Sequence, residues 1–141
     1  MRLSSLILAF FLCLSAWASD VYTVIANPGE NASKSVRLNW HSDIDNDATQ
    51  CFYTDCSDIH WARAKKVAPQ QEICEVFDSM YSKTPEGENF YERVRFIRNT
   101  AELKNLTPGT RYMYRIGNDL KDGETRYFHT APQSGEWSAA I

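Results

Sequence analysis

The chain has 141 residues, 15 basic and 18 acidic side chains, a net charge of −3 and 43% hydrophobic residues. That is enough for one domain with its own core and too little for two. With an acidic balance and no basic run, a nucleic-acid partner is not expected.

In chain order, Arg2 precedes an apolar run over residues 6–14 and the small-residue pattern Ala16-Trp17-Ala18. This is the layout of a cleaved secretory signal peptide over residues 1–18, with the cut between Ala18 and Ser19. The apolar run is too short to cross a bilayer, and no other stretch is longer, so no membrane attachment is expected after cleavage. Removing 18 of the 141 residues leaves 123, with 14 basic and 18 acidic side chains, a net charge of −4. The expected location is secreted or periplasmic. Cys13 leaves with the leader.

Period-two alternation recurs through the rest, so the expected fold class is all-β. Residues 21–26 form a first short strand ending at the turn Asn27-Pro28-Gly29. Residues 34–41 alternate, with Val36, Leu38 and Trp40 on one face and Arg37, Asn39 and His41 on the other. A polar loop over 42–49 leads to a strand over 50–54 through Cys51, Phe52 and Tyr53. Residues 61–67 are read as an edge strand and 73–81 as either a strand or a helical turn. Thr84-Pro85-Glu86-Gly87 is a turn, and 90–103 is a long β-favouring run interrupted near Asn99.

Leu106-Thr107-Pro108-Gly109-Thr110-Arg111-Tyr112 sets a proline-glycine corner between strands, after which Tyr112, Tyr114 and Ile116 alternate inward. A tyrosine there can hydrogen-bond back to the turn backbone, the tyrosine corner of Greek-key sandwiches. A hairpin at Gly117-Asn118-Asp119 and Asp122-Gly123 gives a last strand over 125–130, and 133–141 is a linker or tail. The total is about seven strands in a fibronectin type III-like, immunoglobulin-like sandwich over residues 19–132. Trp40, Leu103, Leu106, Tyr112, Tyr114 and Phe128 are its expected core, with Pro108 and Gly109 setting the corner.

Three cysteines remain after cleavage, Cys51, Cys56 and Cys74, in an oxidising compartment. The favoured bridge joins Cys51 to Cys74, stapling a long insertion; Cys51 with Cys56 would close a tight loop instead. A lone C-x4-C spacing does not spell a zinc site.

Leu103, Leu106, Pro108-Gly109-Thr110, Tyr112, Tyr114-Arg115-Ile116-Gly117 and Phe128-x-Thr130-Ala131-Pro132 resemble the C-terminal half of the domain that precedes the catalytic unit in purple acid phosphatases. Val36-x-Leu38-x-Trp40 is similar to that domain's second strand. The resemblance covers nearly all of the chain after the leader, least clearly over 55–87. It implies a non-catalytic accessory module whose partner is a calcineurin-like metallophosphoesterase domain, an acid phosphatase holding a dinuclear metal centre. The family's metal ligands come from Asp-x-His, Gly-Asp and Asn-His motifs, and this sequence stops before them. No catalytic residue, metal ligand or cofactor is therefore assigned to this chain.

Asp58-Ile59-His60 has the Asp-x-His spelling but follows polar Cys56-Ser57 and not a buried strand, and Gly117-Asn118-Asp119 lacks the histidine. Asp43, Asp45 and Asp47 alternate as in a calcium loop, yet the sixth-position glycine and the closing glutamate are missing, so a solvated acidic turn is expected. His41, His60 and His129 are scattered and carry no assigned role. Asn31-Ala32-Ser33 and Asn105-Leu106-Thr107 spell glycosylation acceptors. The alternative function is a free-standing adhesion or carbohydrate-binding module, with Tyr53, Trp61, Tyr81 and Tyr91 as an aromatic sugar platform.

Overall fold

The computed structural model describes residues 21–78 and 92–134, and every regular element among them is a strand. These are β1 (Val21–Pro28), β2 (Val36–Asp43), β3 (Gln50–Asp55), β4 (Lys65–Val67), β5 (Gln70–Asp78), β6 (Glu92–Leu103), β7 (Arg111–Gly117) and β8 (Arg126–His129). They form two four-stranded antiparallel sheets, in the orders β1-β2-β6-β5 and β4-β3-β7-β8. The chain changes sheet after β2, β4 and β6, so neither sheet is contiguous in sequence. The result is a β-sandwich of eight described strands against an expected seven.

The core sits where the alternating faces of the two sheets meet. In β2, Val36, Leu38, Trp40 and Ser42 are buried while Arg37 and Asp43 are exposed, the pattern of a strand with one face on a core. Leu38, Trp40 and Leu103 are 0% exposed, and burial of each large apolar side chain stabilises by ~1.5–3 kcal/mol. The indole N–H of Trp40 donates to the hydroxyl of Thr49 at 3.0 Å, so the largest buried ring leaves no polar atom orphaned. From the second sheet come Cys51, Tyr53, Tyr112, Tyr114, Ile116 and Phe128, with Tyr112 stacked on Phe128 at 5.3 Å between centroids.

The run over 90–103 is not interrupted at Asn99; β6 is continuous. Asn99 is fully buried, and its amide donates to the Trp40 carbonyl, the Ser42 hydroxyl and the Ile97 carbonyl while accepting from Gln71. A polar residue there survives because every hydrogen bond is made. Residues 73–78 are strand and not a helical turn, since β5 pairs with β6 along its whole length. Of the expected edge strand over 61–67 only β4 pairs, while residues 61–64 turn. The turn at Thr84-Pro85-Glu86-Gly87, the signal peptide with Ala18 and Ser19, and most of the expected linker lie outside the described residues.

The corner between β6 and β7 is tied from several sides. Leu106 N–H donates to the Lys34 carbonyl at 2.9 Å, and Gly109, at φ 61°, donates its N–H to the Ala131 carbonyl at 3.0 Å. That left-handed conformation suits glycine, which has no Cβ to clash. The Thr107 N–H donates to the hydroxyl of Tyr112 at 2.9 Å, so the ring spans the turn. The buried Thr130 hydroxyl accepts from Thr110 N–H at 2.9 Å and donates to the Thr107 carbonyl at 2.7 Å. The residues after β8 are thus part of the corner. Tyr112→Phe should lower stability by about 1 kcal/mol or more, because the Thr107 amide loses its acceptor; thermal unfolding followed by circular dichroism reads this, and an unchanged Tm would contradict it.

Candidate functional surface

In β3 and β7 the residues between the inward ones point away from the core. Phe52 lies opposite Arg115, and Thr54 opposite Met113. Phe52, Thr54 and Met113 are nevertheless buried, as residues 56–64 cover part of this outer face. That loop is organised by one carboxylate. Asp58 accepts hydrogen bonds from the Thr54 hydroxyl at 2.9 Å, the Ala62 N–H at 3.0 Å and the Arg63 N–H at 2.7 Å. These bonds, the Arg63 amide first, hold its carboxyl below the usual range against the opposing effect of burial. Asp55 binds both the amide and the hydroxyl of Ser57 and pairs with Arg63 at 3.3 Å.

The hub fixes what the loop displays. Trp61 has φ 57°, a left-handed conformation that costs a bulky residue ~1–3 kcal/mol and persists only where its surroundings impose it. Its N–H donates to the Asp58 carbonyl at 2.9 Å, and its own carbonyl accepts from Ala64 at 3.2 Å. The Arg115 guanidinium lies over the indole, 4.7 Å from the ring centroid. Arg115 is itself held by donation to Thr125 at 2.8 Å and to the Leu120 carbonyl at 3.1 Å. Ile59, at the crest of the loop, is 70% exposed. From the sequence only Trp61 of this pair stands out. Arg115, 54 positions away, becomes its neighbour only through the pairing of β3 with β7.

Asp58 and His60 therefore belong to a structural loop: the carboxylate is consumed by its three donors, and His60 is exposed. In the acidic loop, Asn46 N–H donates to the Asp43 carbonyl, while Asp43, Asp45 and Asp47 stay exposed. Among the described residues no group of three or more His, Cys, Asp or Glu side chains is placed to hold a metal ion. His41 packs against Phe96 at 4.5 Å and Tyr22 at 5.8 Å, and His129 is exposed. Asn31 keeps its side-chain oxygen on the Ser33 amide and hydroxyl, and Asn105 sits at φ 57°.

The described residues do not bring Tyr53 and Trp61 of the expected aromatic platform together. Tyr53 faces the core beside Tyr112, whereas Trp61 lies on the opposite side of the same sheet; Tyr81 and Tyr91 lie outside the described residues. An open groove of about 750 Å³ crosses the outer face of the first sheet, lined by Arg37, Asn39, Gln70, Arg98, Thr100 and Glu102 among others. Its ion pairs, Arg98 with Glu72 and Lys104 with Glu102, are solvent-exposed.

The Cys51–Cys74 bridge is likewise corrected: Cys51, Cys56 and Cys74 are all free. Cys51 points into the core from the second sheet, opposite Ile116. Cys74 pairs with Phe96 in the first sheet, on the face that alternates with the buried Ile97, and so points away from that core. Cys56 follows β3, its N–H on the Arg111 carbonyl. Burial pushes the Cys51 thiol up to about 12. In the chain cleaved after Ala18, a thiol reagent at pH 8 should titrate Cys56 and Cys74 in the native state and Cys51 only after denaturation. A single reactive thiol in denaturant without reductant would show a bridge.

Two antiparallel sheets, three crossings between them and a tyrosine bonded across its corner define an immunoglobulin-like sandwich domain. Residues 21–130 match the family described as the purple acid phosphatase, N-terminal domain, and the chain belongs to that family. Among curated proteins there is no significant match. Among solved structures the chain is similar to the sensor domain of the anti-sigma factor RsgI4 of Pseudobacteroides cellulosolvens, at 18% identity and a TM-score of 0.44, covering 86% of this chain and 99% of that one.

Proposed function

We propose that this chain is the non-catalytic accessory sandwich of an exported metallophosphoesterase, packing on an acid phosphatase domain and helping to position or shield its entrance. The observation that carries this reading is the family match over residues 21–130, a domain found in purple acid phosphatases. The side chains support it. The carboxylate of the Asp-x-His spelling, Asp58, is engaged in loop structure, and an engaged carboxylate is a poor metal ligand. The dinuclear centre, the phosphate ester and the nucleophile all belong to the partner domain. Export rests on the leader over residues 1–18.

The purified 141-residue chain, assayed with p-nitrophenyl phosphate across acid pH in the presence of iron, zinc or manganese, should show no turnover above buffer. Turnover that follows the folded protein through gel filtration and depends on added metal would contradict the accessory role.

A further inference from the structure

We propose that the outer face of the second sheet binds a carboxylate-bearing polysaccharide, an activity independent of the phosphatase partnership. The chain as a whole carries a net charge of −3. Among the described residues this face has the opposite balance, four cations against the engaged carboxylates Asp55 and Asp58. Lys66, Phe52 and Arg115 form one outward row across β4, β3 and β7, Met113 and Tyr127 a second, and Arg111 and His129 a third. Lys66, Arg111 and Arg115 supply three cations here, with Arg63 close by in its pair with Asp55.

Both arginines are stacked on aromatic rings. Arg115 lies 4.7 Å from the centroid of Trp61 and Arg111 lies 4.5 Å from that of Tyr127. The backbone positions of the two arginines are four residues apart on β7, about 13 Å along the strand, so the two stacks lie along one line of the face. A guanidinium fixed on a ring keeps its fork of donors ready for a carboxylate, and the bonds to Thr125 and Leu120 use only two of the five N–H groups of Arg115. Trp61 is held in a left-handed backbone conformation by the Asp58 hub, so the ring is presented already ordered.

The surface chemistry favours a glycan over a protein. A protein interface of ordinary stability needs a fully buried apolar centre. Among the described residues Phe52 and Met113 are already covered, and the exposed apolar groups of this face are Tyr127, at 52%, and Ile59 on the loop. Scattered rings and charged forks on an open sheet face suit pyranose faces and uronate carboxylates instead.

Native affinity electrophoresis of the full chain tests this with polygalacturonate in the gel, hydroxyethyl cellulose as the neutral polymer and polyglutamate as the acidic peptide. Polygalacturonate should retard the protein more strongly than polyglutamate, and the neutral polymer not at all. Arg111→Gln, Tyr127→Ala and Trp61→Ala should each weaken retardation by about fivefold, the loss expected for one cation or ring contact. Arg111 and Tyr127 are exposed, so those two variants remain informative if Trp61→Ala fails to fold. No retardation by polygalacturonate overturns the proposal. So does equal retardation by polyglutamate, which would assign the face to acidic peptides, and so does unchanged binding in both the Arg111 and Tyr127 variants.

Discussion

The structure depends on burying Trp40. Its ring occupies the middle of the first sheet's inner face with no exposure, in one cluster with Leu38 and Leu103 from its own sheet and Cys51, Tyr114 and Ile116 from the other. An indole buried this way stabilises only if its N–H is matched, and Thr49, just before β3, supplies the acceptor. That hydrogen bond also sets where the chain enters the second sheet. Asn99 does the corresponding work from β6, binding the Trp40 carbonyl, the Ser42 hydroxyl and Gln71 of β5, so three neighbouring strands share one satisfied polar centre inside an apolar layer.

The second organising point lies at the opposite end of β2, where the chain from β8 returns to the corner. Thr130 binds Thr107 and Thr110, Ala131 N–H donates to the Ala32 carbonyl, and Gly109 donates to Ala131. The residues here that resemble purple acid phosphatases, Pro108-Gly109-Thr110, Tyr112 and Thr130-Ala131-Pro132, are those that make these bonds or hold the turn. The family pattern in this part of the chain is accordingly a pattern of backbone closure. The proposed glycan contacts lie elsewhere, on the loop and strands of the outer face.

Legibility in the sequence follows burial. β2 can be read because one face is buried and the other wet, and the corner because proline, glycine and tyrosine each have a local physical reason to be there. β3 cannot be assigned faces, since Cys51, Phe52, Tyr53 and Thr54 are all buried. Tyr53 therefore reads as one of the surface aromatics although it faces the core. Asn99 reads as a break because its partners on β2 lie 57 to 59 residues away. The cysteine pairing fails for the same reason: whether Cys51 and Cys74 share a face depends on the sheet to which β5 belongs, and that is decided by its pairing with β6. The Trp61–Arg115 stack also depends on non-local pairing, and only the tryptophan can be singled out from the sequence.

Closure over Trp40 makes the two sheets one cooperative unit. Native-state amide hydrogen exchange on the wild type and on Trp40→Phe tests this directly, since each strand reports its own opening free energy. The slowest amides of β2, β6, β3 and β7 should open with a common free energy, and the substitution should lower all four by the same amount. Weakening confined to β2 and β6, with β3 and β7 unchanged, would contradict it.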